Sequence, residues 1–85
     1  MNKQIIKKTA QYALKAEYGF APSMTEIQVL EASGDRTYIL FRVGQWEYEF
    51  KSYIFSGKSV WAGPGHIRKT ARFVWTDGHY ERESL

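Results

Sequence analysis

Thr37-Tyr38-Ile39-Leu40-Phe41-Arg42-Val43-Gly44-Gln45-Trp46-Glu47-Tyr48-Glu49-Phe50-Lys51-Ser52 decides the fold of this 85-residue chain. Large apolar side chains alternate with polar ones on both sides of Gly44-Gln45, a two-residue loop with glycine first, as a type II′ hairpin turn requires. That loop length fixes a register. Val43 falls opposite Trp46, Phe41 opposite Tyr48, Ile39 opposite Phe50 and Thr37 opposite Ser52, which gathers the large apolar groups on one face. The other face pairs Arg42 with Glu47 and Tyr38 with Lys51. A slip of one residue would scatter both sets, so turn chemistry, alternation and charge pairing agree on one hairpin.

Upstream, the apolar period is helical. Residues 3 to 18 set Ile5, Ile6, Ala10, Tyr12, Ala13, Leu14 and Ala16 on one broad side, with Gln4, Lys7, Lys8, Gln11 and Lys15 on the other. Gly19 suits the left-handed position after the last turn, Phe20 can fold back on it, and Pro22 forbids continuation. The three alanines allow close approach to a sheet. Between helix and hairpin, Ile27 and Val29 share one parity while Leu30 and Ala32 share the other. A first strand with a bulge would reconcile them, but the preferred reading places the irregularity in a three-residue loop with a bulge at Ser33-Gly34-Asp35-Arg36.

Downstream, a second glycine-first turn at Gly57-Lys58 would set Phe55 opposite Val60 and Ile54 opposite Trp61, giving a long third strand and a short fourth. Ala62-Gly63-Pro64-Gly65-His66 then reads as an irregular loop. Beyond it Ala71, Phe73 and Trp75 alternate with Arg72, Val74 and Thr76. Asp77-Gly78 is the preferred type I′ dipeptide and leads into His79 to Glu83, with Trp75 facing Tyr80 and Arg72 facing Glu83. The expected fold is therefore α+β: an N-terminal helix on one face of a twisted antiparallel meander of about five to six strands, in a single domain over residues 1–85. No repeat, linker or low-complexity tract interrupts it.

Composition fits that picture. With 44% apolar residues, including three Trp, six Tyr and five Phe, the chain can fill one core, although a chain of this length buries only about 60 to 65 per cent of its unfolded surface. Lack of cysteine excludes disulfides, thiolate catalysis and cysteine-ligated zinc. The start carries no apolar stretch of the kind a secretory signal needs, and the longest apolar run is Tyr38 to Phe41, so a cytoplasmic chain with no membrane span is expected.

Helix followed by meander is similar, in general architecture, to cystatin-like domains, a helix cradled by an antiparallel sheet. No binding motif accompanies the similarity, so it carries no functional residues across. The small size, lysine-tipped start and aromatic-rich strands also resemble short proteins of phages and mobile elements, which favours a binder over an enzyme.

Catalytic groups are sparse. His66 has no carboxylate near it in sequence to orient its ring, and no Gly-x-Ser-x-Gly setting surrounds any hydroxyl, so a solvated or structural histidine and a non-enzyme are expected. Asp77, His79 and Glu81 imitate a carboxylate and imidazole metal site, but Asp77 is explained by the turn and further ligands are wanting. The glycines of residues 62–69 lack the spacing of a phosphate loop. No cofactor is implied.

Two binding surfaces remain as expectations. Net charge is +3, and no acidic residue lies between Glu49 and Asp77, so Lys58, Trp61, Arg68, Lys69 and Arg72 within segment 51–72 form a candidate nucleic-acid contact through stacking and phosphate pairing. Lys7, Lys8 and Lys15 on the helix are read as a wetted face. With the helix covering Phe41 and Tyr48, the reverse sheet face would still carry Tyr38, Leu40, Phe55, Val60 and Val74, a candidate protein contact for a partner or a homodimer. A small non-catalytic protein-interaction module, whether adaptor, inhibitor or self-associating, is the first expectation. A weak, largely non-specific nucleic-acid binder is the second.

Overall fold

A computed structural model describes residues 3–33, 38–52 and 65–85. One helix, α1 (Lys3–Tyr18), leads through a single 3-10 turn, Met24–Glu26, into five strands: β1 (Ile27–Ala32), β2 (Tyr38–Val43), β3 (Trp46–Ser52), β4 (Gly65–Thr76) and β5 (His79–Ser84). They form one antiparallel sheet in chain order, β1-β2-β3-β4-β5. The architecture is the expected α+β meander.

The central hairpin has the expected register: Val43 pairs with Trp46, Phe41 with Tyr48 and Ile39 with Phe50, with Arg42 against Glu47 and Tyr38 against Lys51. Gly44 has φ +61° and Gln45 is not in the left-handed region, as a glycine-first II′ turn requires. Phe41, Phe50, Ile39, Ile27 and Leu14 are the largest fully buried side chains, and Phe41 stacks on Tyr48 with ring centroids 5.4 Å apart. Burial of aromatic and aliphatic surface between α1 and this hairpin is the main stabilising contribution. Thr37 lies outside the described residues.

On α1 the buried stripe is narrower than the sequence suggests. Ile6, Thr9, Ala10, Ala13 and Leu14 are buried, whereas Ala16 and Tyr12 are exposed. Tyr12 lies about 200° around the helix from Ala10, on the solvent side, because one sheet face covers only a stripe of about 100°. Thr9 replaces it in the interface without a stranded hydroxyl, since Oγ1 donates to the Ile5 carbonyl at 2.9 Å. The helix ends as expected: Gly19, φ +80°, donates its N–H to the Lys15 carbonyl at 3.1 Å. Gln11 Nε2 donates to the carbonyl of buried Pro22 at 2.7 Å, tying the following loop to the helix.

Two expectations about the strands are revised, and one irregularity is new. Of the two readings of β1, the strand bulge is the one found, between Val29 and Glu31, where Val29 pairs with Phe41 and Glu31 with Leu40; Gly34, Asp35 and Arg36 of the preferred loop lie outside the described residues. Leu30 is the inserted residue; its extra step restores Ala32 to the core parity opposite Ile39. Gly65 and His66 are not loop but the first residues of β4, paired with Ser52 and Lys51. Backbone pairing there overrides the turn propensity of glycine. A second bulge, at Thr70, shifts the β3-β4 register between Glu47 and Tyr48. The Gly57-Lys58 turn and the pairs around it lie outside the described residues.

The Thr70 bulge decides where the end of the sheet points. Before it, Ile67 and Lys69 share the helix-side face with their partners Phe50 and Tyr48; after it, Arg72 joins Trp46 on that face, while Ala71 joins Glu47 on the reverse. Phe73 and Trp75 therefore lie on the reverse face. Asp77, φ +48°, and Gly78, φ +85°, both left-handed, make the expected I′ turn into β5, and Trp75 pairs with Tyr80 and Arg72 with Glu83.

Candidate functional site

The reverse face is built around a buried carboxylate. Glu47, 2% exposed, accepts hydrogen bonds from Arg82 Nε at 3.1 Å, from Arg82 Nη2 at 2.7 Å and from Thr70 Oγ1 at 2.7 Å. Arg82 reaches it diagonally from β5, over fully buried Ala71, whose small side chain leaves room. The Arg82 hydrogen bonds hold the Glu47 carboxyl below its ordinary value of 4.5 against the opposing effect of burial, with Thr70 assisting. Reciprocally, Arg82 is raised by its bond to Glu47. This bidentate pair pins the outer strand to β3 across β4.

Beside it, Glu49 accepts from Arg68 Nε at 3.2 Å and lies 3.8 Å from Lys51 Nζ. A shallow depression of about 280 Å³ runs between these groups, lined by Tyr38, Leu40, Glu47, Glu49, Arg68 and Arg82. Tyr38 and Leu40 are thus brought together on this face, each half-buried. Val74 is not with them. It pairs with Glu81 and shares the helix-side parity of Arg72, a consequence of the Thr70 bulge. Phe55 and Val60 lie outside the described residues.

Farther along the same face lies an aromatic end that sequence reasoning did not single out as a site. Trp75 is 63% exposed and Tyr80 55%, their rings edge to face with centroids 5.0 Å apart. The Arg42 guanidinium sits 4.0 Å over the Phe73 ring and 5.2 Å from that of Tyr80. A depression of about 380 Å³ lies alongside, between Gln45, Arg72 and the aromatic group. The Trp75 and Tyr80 pairing was readable from the turn dipeptide, but placing Phe73, Trp75 and Arg42 on one face requires the bulge.

The proposed nucleic-acid residues are divided by the fold. Arg68 lies on the reverse face in its ion pair with Glu49, whereas Lys69 and Arg72 lie on the helix side. Lys69 Nζ is 4.2 Å from the Trp46 ring centroid and 5.7 Å from that of Tyr18, and Arg72 Nη2 is 2.9 Å from Glu83 Oε1. Lys58 and Trp61 lie outside the described residues. On the same side His79 Nε2 and Glu81 Oε1 are 3.0 Å apart, and among the described residues no group of three His, Asp or Glu stands together as a metal site. No described helix is long and apolar enough to cross a membrane. No family model, no curated protein and no solved structure matches the chain.

Proposed function

We propose that this chain is a small non-catalytic protein-interaction module whose contact surface is the aromatic end of the β4-β5 hairpin. The observation that carries the reading is the pair Trp75 and Tyr80, more than half exposed on one face of an edge hairpin and flanked by Arg42 stacked on Phe73. Aromatic and arginine side chains are the residues most enriched at the energetic centres of protein interfaces. Rigid strands hold them in place, so little rotamer entropy is lost when a partner covers them.

Polyanion binding is supported less well. Arg68 and Arg72 are each paired with a carboxylate of the same chain and lie on opposite faces, so phosphate contact would first have to break those pairs. The test is a photo-crosslinking side chain placed at exposed Gln45, which lines the depression beside Trp75 and Tyr80, in the cells that make the protein. A crosslinked protein partner that disappears in the double variant Trp75→Ala, Tyr80→Ser supports the reading. A crosslinking pattern indifferent to that variant overturns it.

A further inference from the structure

Among the described residues β1 and β5 are the two edge strands of the sheet, and they differ. β1 carries the Leu30 bulge, which interrupts the regular ladder that a new strand would need. β5 is six residues without a bulge, every one of them exposed. Its two-residue turn makes Thr76 and His79 the closing hydrogen-bonded pair, so His79, Glu81 and Glu83 bond inward to β4. Tyr80, Arg82 and Ser84 turn their N–H and C=O groups outward. Arg82 is anchored by Glu47 of β3, which ties this edge to the middle of the sheet.

We propose that β5 is a self-pairing edge: it joins antiparallel to β5 of a second copy, about a two-fold axis through Glu81, making one continuous ten-stranded sheet. The inference rests on the protein-contact reading and names the partner as a second copy of this chain. Side-chain complementarity selects both partner and register. A two-fold axis normal to the sheet keeps the two faces distinct, so only residues of like parity can oppose. Centring on Glu81 sets Tyr80 opposite Arg82 of the second copy and His79 opposite Glu83 of the second copy. Centring on Arg82 would instead oppose two arginines, and Glu81 to Glu83 of the second copy.

In the favoured register the reverse face acquires a row across four strands: Trp75, Tyr80, then Arg82 and Phe73 of the second copy. The exposed face of Tyr80 meets a guanidinium already fixed in position, a cation-π contact made without ordering a free arginine. The one unfavourable pair is Glu81 against itself at the axis. A six-residue edge is smaller than the interface of an obligate dimer, so association is weak and concentration-dependent, with a Kd of about 10 µM to 1 mM.

The chain has no cysteine, so single cysteines report the register directly. Glu81 would face its own copy as a non-hydrogen-bonded pair, with Cα atoms about 4.5 Å apart, within disulfide reach. Two copies of Glu83 would be separated by about 13 Å. Under mild oxidation Glu81→Cys should crosslink to a covalent dimer, Glu83→Cys alone should not, and a mixture of His79→Cys and Glu83→Cys chains should link to each other. Sedimentation of the unmodified chain should show a dimer up to 1 mM, and Glu81→Gln should tighten it about two- to fivefold by removing the like charges. Circular dichroism of each variant checks that the fold is retained. A single-chain mass at 1 mM, or crosslinking of Glu83→Cys as ready as that of Glu81→Cys, overturns the proposal. If the chain stays single while the Gln45 crosslinker still captures a different protein in a Trp75-dependent manner, self-pairing falls and the protein-contact reading stands.

Discussion

Glu47 is a charge placed where solvent cannot reach it, and its stability rests on two neighbours. Since Arg82 holds its carboxyl below 4.5, the pair stabilises the fold above that pH, and the contribution is lost as pH falls through the lowered value. In Arg82→Met the buried carboxylate keeps only Thr70, so the variant should be clearly less stable than the parent at pH 7. The gap should close as pH falls through the lowered value and Glu47 is neutralised; urea melts over a series of pH values from 7 downwards measure it. Thr70→Val removes one hydrogen bond to the carboxylate and should cost about 1 to 2 kcal/mol at pH 7. In the apolar core, Leu14→Ala opens a cavity beneath the hairpin and should cost about 2 to 5 kcal/mol in the same melts. Leucine at position 14 was readable as core from the helical period, and Phe41, Ile39 and Phe50 from strand alternation. The role of Glu47 was not, because its anchor lies 35 residues away on a strand whose register depends on a bulge.

At the scale of elements, the two glycine turns do different work. Gly44 and Gly78 both have positive φ, where a Cβ costs about 1 to 2 kcal/mol. Gly44 joins the two strands that floor the core, so Gly44→Ala should lower the global unfolding free energy by about that amount. Gly78 joins a strand that is exposed along its whole length and tied to the core through Arg82, so Gly78→Ala should speed hydrogen exchange most within residues 79–84 and lower the global transition less than Gly44→Ala does. Hydrogen exchange read beside a denaturant melt separates the two. The turns themselves were legible because their backbone requirements are met by few residue types. The bulges at Leu30 and Thr70 were not, since neither residue has a backbone conformation that its side chain advertises. Ile27 and Val29 against Leu30 and Ala32 showed that something must shift, and only pairing with β2 showed where.

For the whole molecule, the test of surface use is ionic strength. Because Arg68 and Arg72 are paired with carboxylates on opposite faces, labelled single- and double-stranded oligonucleotides should show only weak binding at 50 mM salt that vanishes by 200 mM. Tight binding with a steep salt slope would restore segment 51–72 as a nucleic-acid surface. Mutation of Trp75 and Tyr80 should leave such oligonucleotide titrations unchanged, since those residues lie away from Arg68 and Lys69 along the sheet.

Local chemistry by itself determined the helix and its stop, the central hairpin with its register, the I′ turn and the α+β class, for each follows from residue spacing within one or two neighbouring segments. Only the tertiary structure decided which way the far end of the sheet faces. A single inserted residue, Thr70, reverses the parity of everything after it, moving Phe73 and Trp75 to the reverse face and Val74 away from Tyr38 and Leu40. That choice is made by pairing with β3 and by Glu47 reaching Arg82, contacts between residues far apart in the chain. Period and propensity describe one strand at a time and hold no record of them.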